Sequence, residues 1–324
     1  MASIFSEAWE IMPIDWLLDG EPFIKYRTLT GLLDRNENDQ EVLNSKRSII
    51  RHSLIKQILE RQNTEGYWGN PSDIFKWWPK KDTTFWMLGV LGDFGLDRGH
   101  SKIADACEYV LGTQLPCGGF GWAPPPTPGD CFTGILVESL MKLGYKPDRR
   151  LQKAYEWLLS RQRLDGGFWC KNTGLPGGPR ESEPSCAFAT LCVMGAMVQN
   201  PDLKDSRASG KGLKFLLKCW ENRGKIKYAG HDSKIGKGWE KLKYPFTDYR
   251  ILKYLEVLSR FESIRKDPRM LDMMDMLISK HDKSGCYYAE SIHKVWSNFD
   301  FGQKSAPSRW ITFLVYRILG RYIA

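Results

Sequence analysis

KAYEWLLSRQRLDGGFW, residues Lys153 to Trp169, decides the fold. Tyr155, Leu158 and Leu159 share one face at helical spacing. Gln162 and then Asp165-Gly166-Gly167 end the helix, where glycine lets the chain turn through positive φ. The Phe168-Trp169 pair that follows is a large apolar load to be buried against neighbours. Gly167 is expected either to adopt positive φ or to sit against a neighbouring helix.

The same unit recurs. Ile58…Gln62, Gly66-Tyr67-Trp68 is one copy, and Tyr109-Val110…Gln114, Gly118-Gly119-Phe120 another. Phe215-Leu216…Trp220…Gly224 and Met276-Leu277…His281, Gly285-Cys286-Tyr287 keep the helix and replace the glutamine. Anchors at 62, 114, 162, 220 and 281 give steps of 52, 48, 58 and 61 residues, a repeat architecture. After each turn comes a second, more apolar helix: Asp82–Gly92, Asp130–Leu143, Ser185–Val198, Thr247–Arg260 and Ser308–Arg321, with Pro22–Asp34 as a sixth. Helices apolar nearly all round are buried, and no strand-period segment stands out. The expectation is therefore an all-α fold, an α/α toroid of six inner and five to six outer helices. A short extension would cover residues 1–20, and one repeat domain residues 21–324. Asn36–Ser45 reads as a polar linker, and Lys46–Gln62 as the first outer helix.

Lys153-Ala154-x-x-Trp157-Leu158-x-x-x-Gln162-x-x-x-x-Gly167-x-Trp169 resembles the QW repeat of squalene and oxidosqualene cyclases, a group that extends to protein prenyltransferase β subunits. The resemblance runs from about Ser53 to the end of the chain. It implies an α/α toroid holding an apolar, isoprenoid-like substrate with an anionic end in a central cavity. Asp82-Thr83 resembles the end of the cyclases' Asp-x-Asp-Asp-Thr protonating motif, here preceded by Pro79, Lys80 and Lys81. Asp130-Cys131 resembles part of the Asp, Cys and His set that holds zinc in the prenyltransferases, although Cys186 and Thr247, not His, begin the next two inner helices. A polysaccharide-active toroid enzyme and a non-catalytic lipid-binding or scaffold protein are the alternatives.

Composition bounds these readings. Apolar residues make up 42% and aromatics 13% of 324 residues, ample for a core. No apolar run reaches the ~20 residues that span a bilayer, and the start of the chain lacks the features of a signal peptide. Eight scattered cysteines without a CxxC pair point to reduced thiols and a cytoplasmic setting. Of the net charge of +9, +8 lies in Lys204–Lys243, a solvated loop or a surface for a protein partner. No nucleic-acid recognition motif accompanies it. Phosphate loops, GxSxG and HExxH are absent, no Asp-Asp pair occurs, and the five histidines lack metal-ligand spacing. No cofactor and no metal are expected.

Aligned on a shared leucine, the inner helices define the candidate site. Asp82, Asp130 and Cys131 are the catalytic candidates, each against a structural alternative. Asp and Ser at 82, 130, 185 and 308 stand where N-caps belong, and Cys131 and Cys186 are either thiols activated by a helix N-terminus or inert core. Three residues deeper, one register holds Arg27, Trp86, Gly134, Ala189, Arg250 and Thr312. Gly134 and Ala189 would leave space for an apolar body. Arg27, Arg250 and Arg309 would hold the anionic head, or would pair with Glu21, Asp82 or Asp248. Tyr249 and Trp310, like Trp77, Trp78, Phe85, Phe132 and Phe188, belong to the aromatic set that could face a cation.

Overall fold

The structure is a computed structural model that describes residues 2–71, 81–122, 127–146, 148–169, 182–226 and 236–323. Trp77, Trp78, Lys80, His231, Asp232 and part of the basic segment lie outside them. Fifteen α-helices are described: α1 Ala2–Glu10, α2 Ile14–Leu18, α3 Pro22–Gly31, α4 Gln40–Ile49, α5 Ser53–Glu60, α6 Thr84–Phe94, α7 Ser101–Gly112, α8 Asp130–Lys142, α9 Arg149–Ser160, α10 Ala187–Met197, α11 Pro201–Lys204, α12 Arg207–Glu221, α13 Ile251–Leu258, α14 Pro268–Ile278 and α15 Arg309–Ile323. The only ladder among the described residues pairs Gly121–Trp122 with Thr127–Pro128, antiparallel. The fold class is the expected one, all-α.

The chain divides into two compact units. One comprises Met1–Arg61, Phe94–Leu96 and Glu240–Ala324, the other Gln62–Asp93 and Asp97–Trp239. In the second unit, every residue of α8 from Asp130 to Met141 is buried, as is all of α10. α9 instead buries Leu151, Ala154, Tyr155 and Leu158, the i, i+3, i+4, i+7 stripe of an amphipathic outer helix.

The repeat has a structural cause in this second unit. Gln62 Nε2 donates to its own turn at Gly66 O (2.9 Å) and to Lys102 O of the next outer helix (2.6 Å). Gln114 does the same with Gly118 O and Arg150 O, and Gln162 with Gly166 O and Ala208 O. Each glutamine thus satisfies one carbonyl of the turn and one near the start of the following helix, tying consecutive repeats. Gly66, Gly118 and Gly166 have φ of 94°, 99° and 87°. A Cβ on them would stand 2.6, 2.5 and 2.6 Å from the carbonyl oxygens of Asp105, Lys153 and Lys211. Gly167 takes the other alternative: a Cβ there would stand 2.9 Å from Ser185 Oγ and 3.0 Å from Thr190 Oγ1.

The aromatic after each turn is also held. Trp68, Phe120 and Phe168 donate their backbone N–H to Thr84, Thr133 and Thr190 of the inner helices, at 2.8, 2.9 and 2.9 Å. In the first unit Tyr287 does so to Thr312 at 2.9 Å. These threonines fix the true register. Thr312 corresponds to Thr84, Thr133 and Thr190, so the leucine alignment slips by one or two residues at Trp86, Gly134 and Ala189.

Three boundaries differ from expectation. Asp39 accepts from Glu41 N and caps α4, so 40–49 is a helix rather than a linker, burying Val42, Ser45 and Ile49. The chain breaks between Ile49 and Ser53, dividing the expected Lys46–Gln62 helix. α13 begins at Ile251 instead of Thr247. The Thr247 hydroxyl is held by the His293 ring and the Asp248 carboxylate by Lys243 and Arg250, so 247–250 stays in loop conformation.

In the first unit α15 packs on α1, α2, α3, α13 and α14. The Gly285 turn (φ 73°) lies against the Ile11 carbonyl, so the last repeat seats on the N-terminal segment.

Candidate functional site

In the second unit, Asp130 is the first residue of α8 and is fully buried. It does not cap its own helix. One carboxylate oxygen receives Arg161 Nε at 3.3 Å and the other the Trp169 N–H at 3.0 Å. Burial raises its carboxyl to about 6, against the pull of Arg161, the Trp169 amide and Arg163. Asp82 is not its counterpart. It precedes α6 with φ of 58°, a left-handed conformation that Asp tolerates better than most residues. Ser185 gives its N–H and hydroxyl to Asp165, and Cys186 Sγ takes the cap position, accepting from Ala189 N at 3.4 Å. Among the residues expected to cap, Ser308 does so, accepting from Ile311 N at 3.1 Å.

Gly134 does not leave space for a ligand. A Cβ there would stand 2.7 Å from the Cys192 carbonyl carbon and 2.8 Å from Val193 N, so the missing side chain lets α8 and α10 touch. Ala189 is buried to 1% exposure. Trp86 and Cys131 are buried as well, and the Phe85 ring meets Trp86 edge-on at 4.6 Å and stacks on Phe132 at 4.5 Å. Among the described residues no three His, Cys, Asp or Glu side chains converge as metal ligands.

Asp130 gives a pH test. Its folded carboxyl value lies above the unfolded one, so the native state binds the extra proton between them. The stability this group adds is present below about pH 4 and is lost as pH rises through about 6. Asp130→Asn has no such loss. Its melting temperature relative to wild type should therefore move in the variant's favour by about 5 °C between about pH 4 and pH 7. A difference flat with pH would show that Asp130 titrates normally.

In the first unit, the arginines expected to converge have separate partners. Arg250 Nε lies 3.0 Å from Asp248 Oδ2, which Lys243 Nζ also approaches at 3.3 Å. Arg309 Nε donates to the Trp16 carbonyl at 2.9 Å, with its guanidinium over the Trp16 ring. The Arg27 guanidinium lies 5.3 Å from the Tyr26 ring centroid. Tyr249 lies with Arg250 ahead of α13. Asp248 shares one negative charge between two cations, and burial lowers the Lys243 ammonium below its ordinary value.

This unit holds a raised carboxyl of its own, which spacing in the sequence does not mark. Asp300 Oδ2 accepts the Ser308 hydroxyl and the Trp310 N–H, both at 3.0 Å, and so serves the start of α15. Burial, with the Glu21 carboxylate nearby, raises its carboxyl to about 6. Glu21 also acts on His52, whose imidazole burial holds below its ordinary value. Glu21 Oε2, His52 Nδ1 and Trp310 Nε1 are buried without a hydrogen-bond partner. Phe23 joins them, with ring centroids 5.6 Å from His52 and 5.9 Å from Trp310. Beyond it Phe23 stacks on Phe94 at 4.1 Å, and Phe299 on Phe301 at 5.1 Å. Tyr244 meets Trp310 at 5.5 Å and follows Lys243 in the chain. Asp300 carries no repeat signature, since it opens the short 3-10 turn Asp300–Gly302 ahead of α15; an acidic residue inside the aromatic run Trp296…Phe299-Asp300-Phe301 was the available signal.

No protein-family profile and no curated protein sequence matches the chain. Solved structures are. A variant of the type II terpene cyclase MstE from Scytonema, in complex with merosterolic acid A (product), shares 12% identity over 87% of this chain and 98% of its own, with a TM-score of 0.37. A glycosyl hydrolase of family 88 from Bacteroides vulgatus shares 9% over the whole of both chains, TM-score 0.49. A polysaccharide lyase shares 10% over 98% of this chain and 97% of its own, TM-score 0.49. No helix among the described residues is long and apolar enough to cross a membrane.

Proposed function

We propose that this protein is a terpenoid cyclase-like enzyme acting on an apolar, isoprenoid-like substrate with an anionic end, and that its glutamine-aromatic repeats are QW repeats. The observation that carries the reading is Asp300, a carboxyl raised to about 6 beside an aromatic floor. A carboxyl raised this far toward neutrality is half protonated near pH 6 and can act as a general acid there. Its proton adds to one carbon of a substrate double bond, and the π electrons form the new C–H bond. A carbocation remains on the other carbon, which the faces of Phe23, Trp310 and Phe299 stabilise. His52, kept neutral by burial, accepts the proton that ends the reaction. Lys243 and Arg250, which meet at Asp248, receive the anionic end.

One observation favours a second reading. Glu21 and Asp300 are neighbouring carboxyl groups, a pairing that also serves acid-base cleavage of polysaccharides. Mass spectrometry of products after incubation with squalene, geranylgeranyl diphosphate or uronic-acid polysaccharides separates the two. Asp300→Asn is expected to lower turnover of the isoprenoid by about 10²–10⁴-fold while the protein stays folded. Cleavage of polysaccharide alone, lost in Asp300→Asn and Glu21→Gln, would replace the first reading by the second. Turnover of neither substrate class would overturn both.

A further inference from the structure

At another place in the first unit, α15 and α3 border a groove of about 440 Å³, lined by Arg265, Arg317, Arg321, Asp34, Trp9, Leu32 and others. Behind it lies Glu256, buried to 6% exposure. Arg321 is spent there: Nη2 meets both Glu256 oxygens at 3.0 and 3.2 Å, and Nη1 the Glu256 carbonyl and Ser259 Oγ at 3.1 and 2.7 Å. Arg317 gives Nη2 to Glu256 at 3.1 Å, while its Nε is buried with no partner. Arg265 gives Nε to the Ser259 carbonyl at 2.8 Å, and its two terminal nitrogens carry no hydrogen bond among the described residues. The Tyr322 hydroxyl, close enough to Arg265 and Arg321 to feel their charges, is likewise buried without a partner.

Arginine near a helix C-terminus is stabilising in itself, and Arg321 and Arg265 each bind a carbonyl at the end of α13. That role accounts for one edge of each guanidinium. It does not account for the two terminal nitrogens of Arg265, whose side chain lines the groove. Among the described residues, Asp34 is the one carboxylate lining the groove, against three guanidiniums. A fork of N–H donors matches a tetrahedral oxyanion. Gly31 and Gly320 present no side chain to the groove, and Trp9, Leu32 and Ile323 offer an apolar wall beside the charges.

We propose that this groove binds a phosphomonoester carrying an apolar group, with Arg265 and Arg317 on the phosphate and Trp9, Leu32 and Ile323 on the apolar part. The site is independent of Asp300 and of the reaction proposed above. Its chemistry is met by a soluble phosphate ester or by the headgroup of phosphatidic acid in a membrane. The full chain is titrated calorimetrically with inorganic phosphate and with short-chain phosphatidic acid, and sedimented with phosphatidylcholine vesicles with and without phosphatidic acid. Arg265→Ala is the variant, because Arg265 is partly exposed and makes one hydrogen bond. Short-chain phosphatidic acid is expected to bind, and about tenfold or more weaker to Arg265→Ala, the loss of a charged hydrogen bond. Cosedimentation that Arg265→Ala abolishes assigns the lipid headgroup. Binding of the short-chain ester without cosedimentation assigns a soluble phosphate. Absence of binding in every arm, or equal affinity for Arg265→Ala with its melting temperature unchanged, would overturn the proposal. Arg265→Lys retains charge without the fork and should recover part of the affinity.

Discussion

Gly166→Val is expected to destabilise the protein by more than about 4 kcal/mol, at the extreme of single substitutions. Two penalties combine. Gly166 has φ of 87°, which a β-branched residue adopts only under strain. Its Cβ would also stand 2.6 Å from the Lys211 carbonyl oxygen, which belongs to α12 and cannot move alone. Shifting α12 would break the Gln162 bridge to Ala208 O, so the cost spreads along the joint. Gly210→Ala, on the same helix with nothing within 4 Å of the new Cβ, should stabilise by about 0.5–1 kcal/mol. Urea unfolding of the two variants measures both. A loss below about 1 kcal/mol for Gly166→Val would mean that the repeat joint is not a tight helix contact.

The joint was legible in the sequence because its parts are local. Gln162, Gly166 and Phe168 lie within seven residues, and their chemistry allows few other uses. The inner helices were legible as buried, because α8 and α10 are apolar on every side. Their register was not. A leucine repeats in every apolar helix, whereas the residue that fixes register is the threonine taking the aromatic N–H, and Thr133 or Thr190 looks like any small core residue.

The site was harder to read for the same reason. Gly134 could be read as space or as contact, and only the distance to Cys192 decides it. The start of α13 depends on His293, 46 residues from Thr247. Asp300 is raised by its burial and by Glu21, far away in the chain. Long-range pairing leaves no periodic mark, so the Trp16 carbonyl under Arg309 and the arginines on Glu256 are not shown by spacing, whereas Arg250 takes Asp248, two residues away and one of the carboxylates expected for it.

Glu256→Gln should cost about 3–5 kcal/mol, the loss met when one partner of a buried ion pair is removed. Glu256 is buried, and its oxygens receive Arg317 and Arg321, with Arg260 adding its field. Those arginines hold its carboxyl far below the usual range despite burial, so the charged form is the native one. Glutamine keeps the shape and one acceptor oxygen but leaves the guanidiniums facing each other uncompensated. The pH dependence follows from the sign of the shift. A depressed carboxyl adds stability that is present above its unfolded value of about 4.3 and lost as pH falls toward its folded value. The gap between wild type and Glu256→Gln should be constant above about pH 5 and shrink in acid. Added salt should change it little, because a buried pair is poorly screened. Combining Glu256→Gln with Arg317→Met removes one stranded charge and should recover part of the loss, a coupling that chemical denaturation of the three variants reads directly. A gap under about 1 kcal/mol at neutral pH, or one that widens toward acid, would show that the arginines hold α15 without needing the carboxylate.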